Sequence, residues 1–329
     1  MTDLPRVSVV SAFYNRGDRV AESVGSVLAQ DYPNLEVVVV DDGSRDDTAA
    51  QLRAIDDPRL KVISRDNRGF VASINEAIRA SSGEIVAIHG SGDLSLPHRI
   101  ARQAQALIDQ PAVGVVGCWV EDDKSVGGGT LLFKPPAGSP FHKTLLRRNL
   151  FTHGETMFRR ALYDKVGGYR EFFRFAQDRD LWLRMSRHTD YAIVPETLYR
   201  RFKPAGGVSA DPEKMVLQTF LSDFAVQCAM AVDRGEPDPL ERHGPAAAFL
   251  SKRPELLMRK IAWYGARLMV EGDIERGWAV VTRARSEADS RQIRMIVALT
   301  SMHTSPLLWN RVAKPLLIRR LLQFRKNDY

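Results

Sequence analysis

Each of four short apolar segments in the first 93 residues ends in a run of polar residues. The four runs are AFYNR (12–16), DDGS (41–44), RDNRG (65–69) and GSGD (90–93). Turn-forming residues are expected at any strand end. This expectation explains any one of the polar runs, but it explains all four together less well. Because ligands of open parallel sheets bind outside the carboxyl ends of the strands, the pattern predicts a cleft for a polar ligand. The carboxylates of Asp41 and Asp42 can accept hydrogen bonds from a base N–H or a ribose hydroxyl there.

Three common site motifs are missing, which argues against several enzyme classes. No G-x-G-x-x-G follows the first segment, which disfavours a dinucleotide-dependent redox enzyme, and there is no P-loop. His89 stands where a G-x-S-x-G nucleophile elbow would have its first glycine. The two cysteines, Cys118 and Cys228, are too few for a disulfide framework and too far apart in sequence for a zinc knuckle. A reducing, cytoplasmic setting is expected.

Apolar β-rich segments alternate with segments of helical periodicity over the first 120 residues. Such alternation indicates right-handed βαβ units. The predicted fold class is α/β, with a mainly parallel central sheet that has helices on both faces. The predicted strands are 7–11, 35–40, 60–64, 84–89 and 113–120, and the predicted helices are 18–30 (with Asp18 as N-cap), 48–55, 71–80 and 97–109.

The pattern is less regular in the middle of the chain and becomes helical after residue 210. A strand is predicted at 191–199, broken by Pro195, and a helical hairpin is predicted from 263–270 and 278–284. We therefore expect two domains, an α/β domain that holds the cleft (1–210) and a helical C-terminal extension (211–329).

The formal net charge of +7 is concentrated in the C-terminal quarter. Residues 251–329 carry 16 Lys/Arg and seven Asp/Glu, whereas the rest of the chain is slightly acidic. An anionic partner would explain this charge: a membrane surface, a phospholipid-linked substrate or nucleic acid. Solvated arginine faces of helices also explain it and are the commoner case. The N-terminus lacks a signal-peptide pattern, and no run of about 18 uncharged apolar residues predicts a transmembrane helix.

Three stretches of the chain, in this order and spacing, resemble family-2 inverting glycosyltransferases. They are VSVVSAFYNRGDRVAESVGSVLAQDYPNLEVVVVDDGSRDDT (7–48), RDNRGFVASINEAIRASSGEIVAIHGSGDLSLPHRI (65–100) and FTHGETMFRRALYDKVGGYREFFRFAQDRDLWLRM (151–185). The resemblance covers residues 5–205. It implies a GT-A-like, nucleotide-sugar-binding fold and the transfer of a sugar from a nucleotide donor to an acceptor hydroxyl, with inversion at the anomeric carbon.

The resemblance also assigns roles to single residues. Asp178 matches the general base, and Gln177 replaces the acidic residue that usually precedes it. Asp180 and Arg184 continue the motif, but their spacing favours an ordinary i, i+4 ion pair. The donor-binding residues are Ala12, Tyr14, Asn15, Asp41, Asp42, Arg68, Asn75, Ser91 and Asp93. His153 and Glu155 lie in the acceptor-side segment, where they either recognise the acceptor or, as for a loop histidine, have no catalytic role. Trp182 is the one tryptophan that we expect on the acceptor side, whereas the others are expected to pack in the interior.

One departure from the family pattern concerns the metal. The family places an acidic cluster after the fourth strand, where it holds a divalent cation on the donor diphosphate. This chain has Gly90-Ser91-Gly92-Asp93, so that only Asp93 remains as a metal ligand. Mg²⁺ prefers several oxygen ligands, which argues against a strong Mg²⁺ or Mn²⁺ site. Lysine, arginine or glycine N–H groups could take the diphosphate charge instead.

The sequence therefore predicts an inverting glycosyltransferase of bacterial surface polysaccharide or glycolipid assembly. The alternative is a catalytically silent relative that binds a nucleotide sugar or glycan, or scaffolds an assembly complex. The expected partners are a nucleotide sugar, with UDP favoured, a glycan or lipid-linked acceptor, and an anionic membrane surface that contacts the basic C-terminus. Nucleic acid is disfavoured. The expected location is the cytoplasm, peripheral to the inner face of the membrane.

Overall fold

The structure is a computed structural model and describes residues 4–123, 130–138, 140–202, 211–251 and 255–328. Contacts divide the chain into two units, Met1–Lys203 and Pro204–Tyr329, called here the N-terminal and C-terminal units. The boundary predicted near residue 210 lies outside the described residues.

The N-terminal unit is built around one sheet of nine strands in its described part. The strands are β1 (Val7–Phe13), β2 (Leu35–Asp42), β3 (Leu60–Arg65), β4 (Ile85–Ile88), β5 (Leu94–Ser95), β6 (Val113–Asp123), β7 (Thr130–Phe133), β8 (Met157–Arg159) and β9 (Asp190–Arg201). The helices are α1 (Val20–Leu28), α2 (Thr48–Arg53), α3 (Phe70–Ala80), α4 (Arg99–Asp109), α5 (Phe141–Arg147), α6 (Arg160–Lys165) and α7 (Gln177–Met185).

The strand order is β3-β2-β1-β4-β8-β6-β9-β5, with β7 beside β6. Strands β1 to β4 are mutually parallel, as is the pair β6–β9, whereas β8, β7 and β5 pair antiparallel with their neighbours. The predicted α/β class is confirmed, with a parallel half and a mixed half. Because β1, β2, β3 and β4 run in the same direction, their carboxyl ends lie along one edge of the sheet.

Burial explains why these segments form their elements. All seven residues of β1 are buried, which requires cover on both faces of the sheet and accounts for the continuous apolar run. Helix α3 buries Val71, Ile74 and Ile78, spaced as one helical face requires. The predicted strands and helices of the first 120 residues are all present, with shifted ends.

Two local predictions were wrong. A 3₁₀ turn (Gly17–Arg19) precedes α1, and no side chain caps either element, so Asp18 is not an N-cap. Strand β9 is not broken by Pro195. Its pairing with β6 shifts register so that Cys118 faces Val194 and Trp119 faces Thr197, which leaves the proline, with no N–H to donate, outside the ladder.

The C-terminal unit is helical, and its described core centres on Trp263, Ala266, Met269 and Val281. The predicted hairpin is confirmed by two of its helices, α11 (Glu255–Glu271) and α12 (Ile274–Glu287). They approach so closely that a Cβ on Gly265 would lie 2.7 Å from Gly277 O. The helices are α8 (Pro212–Asp233), α9 (Pro239–His243), α10 (Ala247–Leu250), α11 (Glu255–Glu271), α12 (Ile274–Glu287), α13 (Arg291–Ser301), α14 (Pro306–Leu308) and α15 (Lys314–Asp328), with a π-helical turn Trp309–Ala313 between the last two.

One helix of this unit bears on the expectation of no membrane span. Within α8, Lys214–Asp233 is long and apolar enough to cross a bilayer by length and composition, and 44% of its most apolar window is buried inside the protein. Core helices of water-soluble proteins meet the same criterion. The expectation that no helix crosses a membrane stays a prediction.

Candidate active site

The ends of β1 and β2 are locked together by Asn15. Its backbone N–H donates to Ser44 Oγ at 3.0 Å, and its side-chain Oδ1 accepts from Arg45 N at 2.8 Å. Asn15 has a φ of +51°, a conformation that asparagine tolerates better than most residues. Of the other residues predicted for this strand end, Tyr14 is exposed and Ala12 is buried. Asn15 thus holds the ends of β1 and β2 together, and the exposed side chain of Tyr14 can contact a ligand.

The two acidic residues after β2 have different tasks. Asp42 accepts backbone hydrogen bonds from Arg68 N and Gly69 N, both at 2.9 Å, with Arg65 Nη2 3.4 Å from the same carboxylate. Both of its oxygens therefore help to hold the loop after β3, which gives Asp42 a positioning role, and its contact with the donor stays a prediction. Asp41 accepts only from Ser44 N, at 3.2 Å, and its second oxygen has no protein partner in the described residues.

The loop that Asp42 holds leads into α3, which carries two more predicted donor residues. Arg68 has an exposed side chain in this loop. Asn75 is buried, donates to Tyr169 O at 2.9 Å and accepts from the Tyr163 hydroxyl. Its amide is consumed by the contact between α3 and the 163–169 segment, so the donor-binding prediction for Asn75 is wrong for this structure.

Strand β4 ends in a turn in which Asp93 is fixed from two sides. Tyr199 donates its hydroxyl hydrogen to Oδ2 at 2.7 Å, and Phe202 N donates to Oδ1 at 2.9 Å. Burial raises the pKa of Asp93 to about 6, because the charged carboxylate loses hydration. The glycines allow this arrangement, since a Cβ on Gly90 would lie 2.3 Å from Asp93 Oδ2. Ser91 is half-buried in the same turn.

These residues do not fit the divalent cation that the resemblance implies. Both oxygens of Asp93 already accept hydrogen bonds, and Gly90 and Gly92 contribute no carboxylate. In the part of the chain that the structure describes, no group of three or more His, Cys, Asp or Glu residues could hold a metal. A cation with six oxygen ligands would have to take nearly all of them from the donor and water.

Asp178 lies in the first turn of α7, where the helix dipole favours a negative charge. Asn149 Nδ2 donates to its Oδ2 at 2.8 Å, and Oδ1 has no hydrogen-bond partner among the described residues. The carboxylate is half-buried. One oxygen is thus held in place, while the other remains available to take a proton.

His153 stands beside this carboxylate. Its Nε2 shares a 2.7 Å hydrogen bond with the Tyr169 hydroxyl, and its ring meets that of Phe70 edge to face at 5.6 Å. Burial lowers the pKa of His153 against the opposing influence of Asp178, so the imidazole is neutral near pH 7. Burial also raises the pKa of Tyr169 well above 10, which keeps its hydroxyl protonated.

The other two acceptor-side predictions are corrected, because both side chains are in the interior. Glu155 is fully buried and accepts from Thr152 N at 2.7 Å and from the Thr152 hydroxyl, and burial raises its pKa. Trp182 is fully buried against Phe151 and Phe158. Neither can touch an acceptor in this structure, and both stabilise the segment that carries His153 and Asp178.

Asp180 shows that the remainder of the motif is structural. It is buried and forms ion pairs with Arg170 and, at 2.8 Å, with Arg184 four residues on. The predicted i, i+4 pair is confirmed. Arg170 was missed, since no local sequence pattern links it to α7.

Two contacts bring the predicted donor and acceptor sides together. Phe70, which directly follows the loop held by Asp42, touches His153. Gly154 packs against Tyr199, the partner of Asp93, so closely that a Cβ would lie 2.2 Å from its hydroxyl oxygen. The ends of β2, β3 and β4 and the start of α7 therefore form one site. Asn149, Tyr169 and Tyr199 were missed by the sequence analysis.

Comparisons with known proteins agree with this arrangement. The family model described as Glycosyl transferase family 2 matches residues 8–167. The chain is 34% identical over 192 residues to the putative glycosyltransferase EpsE of Bacillus subtilis, covering 56% of this chain and 68% of that protein. It is 41% identical over 103 residues to the succinoglycan biosynthesis protein ExoO of Rhizobium meliloti, covering 31% of this chain and 30% of that protein.

Solved structures of GT-A glycosyltransferases share the fold. The mannosyltransferase PcManGT of Pyrobaculum calidifontis, solved with GDP-Man and Mn²⁺, matches with a TM-score of 0.56 and 22% identity over 96% of this chain and 86% of that one. Residues 1–349 of TarS from S. aureus, solved with UDP-GlcNAc, match with a TM-score of 0.54 and 18% identity over 91% of each chain.

Proposed function

The chain belongs to glycosyl transferase family 2, and we propose that it is an inverting enzyme that moves a sugar from a nucleoside-diphosphate donor to an acceptor hydroxyl. The observation that carries this proposal is the Asp178 carboxylate, which has one oxygen fixed by Asn149 and one unpartnered oxygen among the described residues. PcManGT and TarS were solved with nucleotide sugars, which supports a donor of that class. A UDP-sugar is the first candidate.

In the proposed reaction, the acceptor oxygen attacks the anomeric carbon on the face opposite to the diphosphate. The carbon–oxygen bond to the acceptor forms as the bond to the diphosphate oxygen breaks, and the electron pair leaves with the nucleoside diphosphate. Asp178 Oδ1 takes the acceptor proton. A positioned general base supplies about 10²–10⁴-fold of rate enhancement. The neutral His153 helps, because an imidazolium there would stabilise the carboxylate and make it a weaker base.

The decisive test of the reaction type is the anomeric configuration of the product. Purified protein is incubated with α-linked UDP-, GDP- and dTDP-sugars and a panel of glycan and lipid-linked acceptors, and the product is analysed by NMR. A β-linked product supports the proposal, and an α-linked product contradicts it. Donor binding with neither transfer nor hydrolysis would indicate the alternative, a silent nucleotide-sugar-binding relative.

The acceptor class and location are proposed from the similarity to ExoO, a succinoglycan biosynthesis protein, and from the charge of the C-terminal unit. Residues 290–327 contain eight Lys/Arg and no Asp/Glu. We propose assembly of a surface polysaccharide or glycolipid by a cytoplasmic enzyme that contacts the inner face of the membrane.

The structure of the last helices supports an anionic lipid surface as the partner. Trp309, Ala313 and Leu317 point into the core. Another face exposes two large apolar side chains, Leu307 and Ile318, which are 60% and 41% exposed. Arg311 and Lys314 lie between them at spacings of three and four residues, which places all four on one side of the helix. We call these four residues the basic–apolar face, and this combination is typical of helices that lie in a membrane interface.

A further inference from the structure

The packing at Gly90 and the backbone at Gly92 disfavour, in the turn after β4, the carboxylates that hold a metal in the family pattern. A side chain on Gly90 would collide with Asp93 Oδ2 at 2.3 Å. Gly92 has a φ of +95°, a backbone conformation that strains any residue with a Cβ. The two glycines are therefore required by the present packing, in which Asp93 is bound to Tyr199 and Phe202.

Two arginine side chains lie beside position 92, where the family pattern has a carboxylate. A Cβ built on Gly92 would have Arg19 Cβ and Cγ at 3.4 Å and Arg16 Cδ at 3.9 Å. Positive charge is thus placed next to this point of the site.

Arg19 is already committed to the protein. Its Nε and Nη2 donate to Gly92 O at 3.3 and 3.1 Å, its Nη1 pairs with Glu22 at 2.8 Å, and its guanidinium lies 4.1 Å from the centre of the Phe202 ring. These contacts hold the turn against α1. They leave few N–H donors of the Arg19 guanidinium for a ligand.

Among the described residues, Arg16 is anchored through its backbone. Its N–H donates to Thr48 Oγ1 at 2.8 Å, which fixes the position of the residue. Its half-buried side chain makes no ion pair or hydrogen bond in the described ranges of the chain. A permanently charged guanidinium with five N–H donors therefore lies beside the turn after β4 without a protein partner among the described residues.

We propose that the Arg16 guanidinium binds the diphosphate of the donor and takes the place of a divalent cation. The inference rests on the proposed function, because a nucleoside diphosphate must be the leaving group. When the bond between the anomeric carbon and the diphosphate oxygen breaks, the electron pair stays on that oxygen. Arg16 stabilises the resulting charge with bidentate, charge-assisted hydrogen bonds, so donor binding needs no metal.

The test is calorimetric binding of UDP, GDP and dTDP, each with its nucleoside, to the full chain. Each titration is done in EDTA and in excess Mn²⁺, with wild type, Arg16→Gln, Arg16→Lys and a matched control, Arg53→Gln. Arg53 lies on α2 and touches Ser64 Oγ, so the control removes the same charge from the same unit.

The wild type should bind its preferred diphosphate with a Kd that differs less than about threefold between the two buffers. Arg16→Gln should weaken that binding about tenfold or more, the loss expected for a charge-assisted hydrogen bond. Nucleoside binding should be unchanged, Arg16→Lys should recover part of the loss, and Arg53→Gln should match the wild type. The Arg16 variants should fold, since the side chain has no described protein partner to lose.

Three results would overturn the inference. In the first, EDTA abolishes diphosphate binding and Mn²⁺ restores it. In the second, Arg16→Gln binds as tightly as Arg53→Gln. In the third, no diphosphate binds the wild type in either buffer. The proposed function then fails, and the role of Arg16 fails with it. Diphosphate binding that depends on Mn²⁺ would leave the proposed function standing and refute only the role of Arg16.

Discussion

Asn149 Nδ2 lies 2.8 Å from Asp178 Oδ2 and donates a hydrogen bond to it, across 29 residues of sequence. Asn149 is itself oriented, because its Oδ1 accepts from Leu150 N at 3.1 Å. The amide therefore fixes one carboxylate oxygen and, with it, the direction of the other. Asn149 is a positioning residue for the proposed base.

We predict that Asn149→Ala lowers kcat about tenfold and leaves the KM for the donor within about twofold, because a misdirected base affects the transition state and not donor binding. Steady-state kinetics with varied donor measure both constants. Asn34→Ala, which removes an exposed amide bound to Leu4 O, is the control. A rise in KM with unchanged kcat would show that Asn149 serves binding instead.

The raised pKa of Asp93 predicts that the stability of the protein depends on pH. Its pKa is raised by burial to about 6, above the usual value of about 3.9 in an unfolded chain. The folded state therefore binds the proton more tightly, and the contribution of this group is fully present below about pH 4 and is lost as the pH rises through 6. Asp93→Asn abolishes this loss. From pH 4 to 7, the stability of the variant relative to the wild type should rise by up to about 3 kcal/mol.

Urea unfolding of both proteins at four pH values in this range measures that difference. A stability gap that stays constant with pH would show that Asp93 titrates normally and is not desolvated by the turn.

We predict that substitution of Asp180 causes a large loss of stability, although Asp180 has no direct role in the chemistry. The buried carboxylate pairs with Arg170 and Arg184, so Asp180→Ala removes the carboxylate that both arginines bind. Removing the shared carboxylate of a buried ion-pair network costs about 3–5 kcal/mol. Asp164→Ala, at an exposed position on α6, should cost less than about 0.5 kcal/mol. Equal thermal midpoints for the two variants would contradict the buried network.

The sequence predicted features that depend on residues close together in the chain, but not those that depend on residues far apart in the chain. Apolar runs and helical spacing identified β1 to β4 and α3, because burial in a parallel sheet leaves a continuous local pattern. The partner of Asp93 is Tyr199, 106 residues away, and nothing near Asp93 indicates it. The motif also placed Asp42 and Asn75 correctly along the chain. It did not reveal which way their side chains point, and both bind protein atoms.

The basic–apolar face predicts binding to anionic membranes. Full-length protein should sediment with vesicles of phosphatidylglycerol and phosphatidylcholine but not with pure phosphatidylcholine vesicles. The double variant Arg311→Glu/Lys314→Glu should weaken this binding about tenfold or more, since each cation near such a surface contributes about 1 kcal/mol.

The control is the double variant Arg276→Glu/Arg283→Glu, which reverses two exposed charges on α12 and should bind like the wild type. Equal binding by both double variants, tighter binding to RNA than to vesicles, or a dimer that buries Leu307 and Ile318 would each contradict a membrane partner for this face.

The central claim is that Asp178 is the general base, and the rate of sugar transfer by Asp178→Asn tests it most directly. The substitution is nearly isosteric and removes only the basic carboxylate. The matched control is Glu171→Gln, an exposed carboxylate seven residues earlier. We predict that Asp178→Asn keeps the thermal midpoint and donor Kd of the wild type and loses about 100-fold or more in kcat, whereas Glu171→Gln keeps full activity. Retention of more than about a tenth of the wild-type rate by Asp178→Asn would contradict the assignment.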